Sequence, residues 1–299
     1  IIFDGKEKFV AKNINGYLID APNFSIERRT KTLCNVPPIL SGSMPNDGGN
    51  LIIEADELDD FIRREPKAKK FIRRFMMGQE FIKSIDRYCL WLVDATEDDL
   101  KLPAIAERVE AVRQHRLSSK RSTTRKLADR PTVFGELRQP RGTFIAMPVV
   151  SSERRRYIPI GFLSPEIIVG DKLFIIPDSS LFHFGVLESS VHMSWMRVVA
   201  GRMKSDYSYS ATLVYNNFPW CAFSDRIEQT AAKILEVRSK FGDRSLADLY
   251  DEEKMPVDLR AVHAENDRAV MDAYGFEHDL DEPTIVSRLM SMYHRLTAK

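Results

Sequence analysis

One segment, at residues 204–210, alternates side chains that could contact the edges of nucleic-acid bases. It runs KSDYSYS, so alternate positions carry a cation, a carboxylate and two hydroxyls in turn. In extended backbone, Lys204, Asp206, Ser208 and Ser210 would share one face, because side chains alternate across a strand. Lysine can donate to guanine O6 and N7 in the major groove, and aspartate can accept from cytosine N4. A polar turn closed by a local Lys–Asp ion pair would account for the same residues, so both interpretations stay open.

Two basic segments combine cations with hydroxyl donors, and these residue types contact phosphate oxygens. Residues 118–126 run SSKRSTTRK, and residues 151–157 run SSERRRY. Three consecutive arginines at a strand start project to both faces, so at least one must be partnered by acids or by phosphate. For residues 118–126 the alternative is a solvated helix face, and composition does not decide between the two.

Catalytic patterns are weak throughout the chain. An amino-methylating DNA enzyme needs a polar residue, two prolines and an aromatic ring in succession to hold a flipped base. NVPPI at 35–39 and NFPW at 217–220 each break that pattern. A metal nuclease needs clustered carboxylates, and Asp94 with Glu136 is a poor match. DGGN at 47–50 predicts a turn rather than a cofactor loop, so we expect no catalytic residue, metal site or cofactor in this chain.

The overall charge balance hides two regions of opposite sign. The 299 residues hold 44 Lys or Arg and 43 Asp or Glu, which taken alone argues against a nucleic-acid partner. From 108 to 156, however, thirteen Lys or Arg face four acids, and from 241 to 299 thirteen acids face seven Lys or Arg. The chain therefore has a basic middle and an acidic tail.

The cysteines and the first residues indicate a cellular context. Cys34, Cys89 and Cys221 are far apart and form no C-x-x-C pair. They are typical of thiols in a reducing compartment, so we expect a cytoplasmic protein without a membrane span. The chain begins IIF, without an initiator methionine or a signal-peptide pattern, and we expect either a segment of a longer polypeptide or a trimmed start.

The predicted elements indicate a mixed α+β fold, with an α/β unit over 1–222 and a small helical unit over 223–299. Helical periodicity predicts helices over 54–83, broken near Pro66, over 102–129 and over 181–203. Short β-branched or aromatic runs predict strands at 87–93, 132–137, 143–149, 156–162 and 172–176. After residue 224 the pattern is helical, with breaks at glycine and proline positions.

Several segments, in this order, resemble a known family. They are MPNDGG at 44–49, RYCLWLV at 87–93, FGELRQP at 134–140, SSERRRYIPIG at 151–161, KSDYSYS at 204–210 and YNNFPW at 215–220. From about Asn13 onwards the chain looks like the C-terminal third of the single-chain type II restriction–modification enzymes of the MmeI type. In that family a nuclease and an adenine-N6 methyltransferase core precede a target-recognition domain and a helical region.

The resemblance implies a DNA target-recognition domain over 1–222 and a helical C-terminal domain over 223–299. It implies double-stranded DNA and the upstream methyltransferase core of the same polypeptide as partners, and no membrane. S-adenosyl-L-methionine and Mg²⁺ would be cofactors of the parent enzyme, because the family's adenosylmethionine loop and nuclease carboxylates have no counterpart in this sequence.

The resemblance also implies roles for individual residues. In that family two alternate positions on the segment matching residues 204–206 read the base pair next to the methylated adenine, which implies this role for Lys204 and Asp206. Lysine with aspartate fits a G·C pair with guanine on the methylated strand, so we predict a site ending in A-G. Ser208 and Lys172 are candidates for a neighbouring base pair. Phosphates would be held by a set of cations: Arg154, Arg155, Arg156, Arg138, Lys120, Arg121 and Arg125.

Two other functions stay open at this point. One is an enzyme complete in this chain, a nuclease or a small methyltransferase, which a bound adenosylmethionine or a catalytic metal would support. The other is a protein–protein docking module, in which the acidic helical tail contacts the catalytic core.

Overall fold

The chain forms two compact units, each assembled from segments that are distant in sequence. A computed structural model describes residues 2–4, 7–20, 23 and 25–298. The first unit comprises residues 1–39, 147–161 and 176–299, and the second comprises residues 40–146 and 162–175.

Strands and α-helices are interspersed over residues 2–208, and α-helices follow from residue 225. The strands are β1 (Ile2–Asp4), β2 (Glu7–Phe9), β3 (Leu40–Ser41), β4 (Ile52–Glu54), β5 (Ile72–Met76), β6 (Arg87–Leu90), β7 (Phe144–Pro148), β8 (Val150–Ser151), β9 (Gly161–Leu163), β10 (Ile168–Val169), β11 (Leu173–Pro177), β12 (Gly201–Met203) and β13 (Asp206–Ser208). The α-helices are α1 (Leu58–Arg64), α2 (Gly78–Lys83), α3 (Glu97–Leu100), α4 (Pro103–Leu117), α5 (Ser122–Lys126), α6 (Leu181–Leu187), α7 (Ser190–Val199), α8 (Asp225–Ser239), α9 (Leu246–Leu249), α10 (Val257–Tyr274) and α11 (Glu282–Thr297).

One four-stranded sheet has the strand order β3-β11-β7-β9. The second unit contains another four-stranded sheet, with the strand order β10-β5-β6-β4. Its core packs aromatic rings edge to face: the ring of Phe134 lies 5.9 Å from that of Phe75 and 5.3 Å from that of Trp91, centroid to centroid. Edge-to-face pairs at this spacing add to the stabilisation from area burial.

A buried arginine ties two loops of the second unit to helix α4. Arg116 is fully buried. Its guanidinium donates to five backbone carbonyls, namely those of Pro45, Asn46, Leu127, Arg130 and Val133. These bonds use all five guanidinium donors. This cation of the basic middle region is therefore structural.

The first unit combines a three-stranded sheet, β12-β13-β8, with the C-terminal helices. Helix α8 packs against α6 and α10, and α7 packs against α11. Gly185 permits the α6–α8 contact, because a Cβ atom there would lie 2.6 Å from Cγ2 of Ile227. Trp195 of α7 is fully buried and donates from its indole nitrogen to the Val214 carbonyl over 3.1 Å.

The predicted mixed α+β fold with a helical C-terminal region is confirmed, but several predicted elements are wrong. Within the predicted helices over 54–83, β5 pairs with both β6 and β10, so sheet pairing overrides the helical spacing of its apolar residues. The predicted helix over 181–203 is instead α6, α7 and β12. Ser189 starts α7 by accepting a hydrogen bond from the His192 amide, which is the usual role of an N-cap serine.

The predicted strands also differ from the structure in part. Strands occupy much of 87–93, 143–149 and 172–176, as β6, β7 and β11. Residues 132–137 form a loop with one bridge at Glu136, and of the predicted strand at 156–162 only its end belongs to β9. The helix predicted over 102–129 is broken at 118–121. Among the described residues, none of the helices is long and apolar enough to cross a membrane.

Candidate nucleic-acid interface

Lys204 lies at the tip of a hairpin and not within a strand. Strands β12 and β13 pair antiparallel with Met203 opposite Asp206, so Lys204 and Ser205 form the two-residue turn between them. Lys204 has a φ of +58°, and tight hairpin turns require such positive values. The expected strand face shared by Lys204, Asp206 and Ser208 is therefore wrong for Lys204. Lys204 is exposed and Asp206 is half-buried at the same end of the hairpin.

The register of the hairpin defines two faces. On one face Arg202 is opposite Tyr207, and the Arg202 guanidinium carbon lies 3.8 Å from the centroid of the buried Tyr207 ring. Neighbouring side chains of a strand point to opposite faces. The other face, which we call the Asp206 face, comprises Gly201, Met203, Asp206 and Ser208. It is exposed or half-buried at each of these four positions.

The hairpin is anchored at its base by a buried tyrosine–histidine contact. The Tyr209 amide donates to the Val149 carbonyl over 2.9 Å, beside the pairing of β13 with β8. The Tyr209 hydroxyl lies 3.0 Å from Nε2 of the fully buried His192. Burial lowers the pKa of His192 to about 4. The ring is thus neutral at neutral pH and holds β13 on α7.

Two of the three arginines that follow β8 lie near acids of the C-terminal region. Arg154 forms an exposed ion pair with Glu253, with 3.6 Å between nitrogen and oxygen. Arg155 is half-buried, and burial lowers the pKa of its guanidinium while the nearby carboxylates of Asp206 and Asp251 oppose that effect. Arg156 is exposed. Arg155 is therefore electrostatically linked to the predicted base-reading carboxylate.

Three predicted phosphate ligands of the second unit lie in the turn between α4 and α5 or within α5. Lys120, Arg121 and Arg125 are exposed. Arg125 donates to the carbonyls of Ser119 and Lys120, each over 2.9 Å. These bonds use one nitrogen of the guanidinium to close the turn before α5.

The other two predicted contacts of the second unit have acidic partners. Arg138 is half-buried and donates to the carboxylate of Glu136. Lys172 is exposed, and its ammonium lies 2.9 Å from the carboxylate of Asp171. Both cations could exchange these partners for phosphate or base acceptors.

The weak catalytic patterns have structural explanations. Asp47 forms the predicted turn, because its carboxylate accepts from the amides of Gly49 and Leu51. Asn217 is fully buried, and its amide group donates to the carbonyls of Glu27, Thr212 and Leu213. Within the part of the chain that the structure describes, no group of three His, Cys, Asp or Glu side chains could hold a metal ion.

Sequence reasoning missed Met203 and Arg202 as members of the hairpin. Both were assigned to the end of an apolar helix. Gly201 was the available signal, because glycine is unfavourable in a helix and often marks its end.

Comparison with known proteins identifies the class of this chain. The family model "MmeI, target recognition domain" matches residues 20–222, and "MmeI, C-terminal domain" matches residues 222–299. The chain therefore belongs to the MmeI target-recognition family, and the resemblance drawn from its motifs is confirmed.

Two particular relatives cover nearly the whole chain. DNA methyltransferase A of Bacillus subtilis (strain 168) is 35% identical over 303 residues, which are 100% of this chain and 34% of the relative. The solved structure of MmeI, a Type IIL restriction-modification enzyme, in complex with DNA is 37% identical with a TM-score of 0.93, covering 97% of this chain and 39% of that one. The chain thus spans about a third of the length of the curated relative.

Proposed function

We propose that this chain is the sequence-reading part of a longer site-specific adenine-N6 DNA methyltransferase and endonuclease, and that it positions the catalytic core on double-stranded DNA. The names of the two relatives support this function. The observation that carries it is the exposed β12–β13 hairpin, which presents Lys204 and Asp206 together at its tip. A two-stranded ribbon is one of the shapes that the major groove admits.

The base pair next to the methylated adenine would be read at this tip. Lys204 lies in the turn, so its flexible side chain can extend beyond the strand end to guanine O6 and N7, while Asp206 accepts from cytosine N4. Ser208 follows Asp206 on the same face and would contact a neighbouring base pair. Lys172 is proposed for that neighbouring pair as well. This assignment keeps the predicted target ending in A-G.

Phosphate contacts would set the position of the protein on the duplex. We propose this role for the exposed cations Arg154, Arg156, Lys120, Arg121 and Arg125, and for Arg138 after it leaves Glu136. Such contacts fix register without carrying sequence information. Arg155 was predicted to join them and is half-buried, and its charge interacts with the nearby carboxylates of Asp206 and Asp251. We propose that Arg155 acts mainly on the electrostatics of Asp206.

S-adenosyl-L-methionine and Mg²⁺ belong, in this proposal, to the catalytic core of the longer polypeptide. We propose that this chain itself contributes DNA binding and orientation. We propose residues 1–222 as the recognition domain and 223–299 as the helical C-terminal domain, acting in the cytoplasm, where free thiols such as Cys34, Cys89 and Cys221 persist.

A charge exchange at the hairpin tests the proposal. In the full-length enzyme, Lys204→Glu combined with Asp206→Arg should change the last nucleotide of the methylated site from G to C. The reason is that the acidic and the basic side chain exchange positions and therefore the nucleobases that they contact. Methylated adenines in DNA from a host carrying the variant give the readout. Methylation that stays confined to the original A-G sites would contradict the assignment.

A matched control exchanges a charge pair elsewhere on the same unit. Lys240 and Glu236 form an exposed pair, 3.5 Å between nitrogen and oxygen, at the end of α8. Lys240→Glu combined with Glu236→Arg alters the same number of charges and should leave the methylated site unchanged.

A further inference from the structure

An apolar side chain lies beside the carboxylate of the Asp206 face. Met203 pairs directly with Asp206 across the β12–β13 ladder. Directly opposite residues on one face have Cβ atoms about 4.5–5.5 Å apart. Met203 is 57% exposed, although exposed edge strands such as β12 often carry charged residues.

The surroundings leave the Met203 side chain free to reach outward. Arg202 and Tyr207 occupy the opposite face, where they stack on each other. Gly201, the other β12 residue of the Asp206 face, has no side chain, and a Cβ added there would come no closer than 3.9 Å to another atom. Met203 is therefore the apolar group nearest to Asp206 on this face.

The chemistry of the cytosine edge matches this pair of side chains. In the major groove, the cytosine N4 amine projects from the ring and the C5 carbon lies next to it, set further back. Aspartate is short and suits the amine, whereas methionine is longer, flexible and apolar and suits a recessed carbon. At thymine the same C5 position carries a methyl group that apolar side chains contact.

We propose that Met203 packs against the C5 edge of the cytosine that Asp206 reads, and so makes target recognition sensitive to a methyl group at that carbon. This inference rests on the proposed function. Met203 would also exclude water from the hydrogen bond between Asp206 and N4. A C5 methyl group would enter the space that the Met203 side chain occupies.

The test compares duplexes that carry cytosine or 5-methylcytosine opposite the guanine of the A-G site, with adenine methylation by the full-length enzyme as readout. The wild type should methylate the 5-methylcytosine duplex about fivefold or more slowly, as expected from overpacking by a methyl group. Met203→Ala should bring the two rates to within about twofold of each other, because truncation vacates the space. Met203→Leu, which keeps the apolar volume, should retain the difference.

Val257→Ala is the matched control, since Val257 is an exposed apolar residue at the start of α10 and its truncation should leave the wild-type ratio unchanged. Equal methylation rates on both duplexes in the wild type would overturn the inference, and so would a ratio of the two rates that Met203→Ala does not alter. Neither result would affect the preference for A-G, so the proposed function would remain. If the wild type does not prefer A-G sites on unmodified DNA, both the proposed function and this inference are wrong.

Discussion

The hydroxyl of Tyr157 donates a hydrogen bond of 2.7 Å to Oδ2 of Asp267. Tyr157 lies in the part of the chain that matches the target recognition domain, and Asp267 lies in the part that matches the C-terminal domain. Both residues are buried and belong to the same compact unit. The loop of Arg154, Arg155 and Arg156 is therefore fixed at its end by helix α10.

Asp267 also stabilises the start of α7. Its Oδ1 atom accepts from the Ser190 amide over 2.7 Å, where the positive end of the helix dipole favours a carboxylate. The Tyr157 ring stacks on His263 of α10, with 4.3 Å between ring centroids. One carboxylate thus joins the arginine loop, α10 and the helix that carries His192.

Removing the Tyr157 hydroxyl should destabilise the protein by about 1–3 kcal/mol, because Asp267 would keep a buried oxygen without its donor. Urea unfolding of Tyr157→Phe measures this cost. Asp267→Asn should lower stability as well, and the two losses should not add, because residues in direct contact are energetically coupled. Strictly additive losses in the double variant would show that the bond contributes nothing to stability.

Arg154 and Arg155 should respond differently to neutralisation. Arg154→Gln should reduce the salt dependence of DNA binding by about one unit of log–log slope without changing sequence preference, as for a phosphate ligand. Arg155→Gln should mainly reduce discrimination at the base pair read by Asp206, because that carboxylate loses its neighbouring cation. Titrations of both variants against A-G and A-C duplexes at several salt concentrations measure the two effects. A reduced slope with intact discrimination for Arg155→Gln would assign it to phosphate instead.

The alternation of polar and aromatic side chains at 206–209 could be predicted from the sequence, because Tyr207 and Tyr209 are buried and Asp206 and Ser208 face outward. The position of Lys204 in the hairpin turn could not be predicted from the sequence. Its positive φ, unusual for a residue other than glycine, is imposed by the pairing of β12 with β13. Local patterns do not encode that register.

Local sequence patterns also could not predict which segments assemble into the first unit. Tyr157 and Asp267 are 110 residues apart in sequence, and nothing around either residue indicates the other. The motifs at 151–161 and 204–210 identified the family, yet the packing of the arginine loop against α10 depends on tertiary contacts. Contacts of this separation follow from the fold and not from periodicity.

Acidification should destabilise the hairpin anchor through His192. Its pKa is lowered by burial to about 4 in the folded protein, whereas an unfolded histidine titrates near 6.5. The unfolded chain therefore binds more protons between these values, and stability is lost as the pH falls from about 6.5 to about 4. The full shift corresponds to roughly 3 kcal/mol. The pKa of His263 is lowered to about 3, so this residue also reduces stability as the pH falls. The pKa of Glu188 is raised to about 8, so this residue has the opposite effect on stability.

A comparison with His192→Gln isolates the His192 contribution, because His263 and Glu188 remain in both proteins. Glutamine can still hydrogen-bond to the Tyr209 hydroxyl but does not titrate. The variant should be less stable at pH 7, and its free energy of unfolding should fall less steeply than that of the wild type between pH 6.5 and 4. Urea unfolding at several pH values measures both slopes. Equal slopes would mean that His192 takes up a proton without leaving its contact with Tyr209, and the hairpin would then have no acid-sensitive anchor at this position.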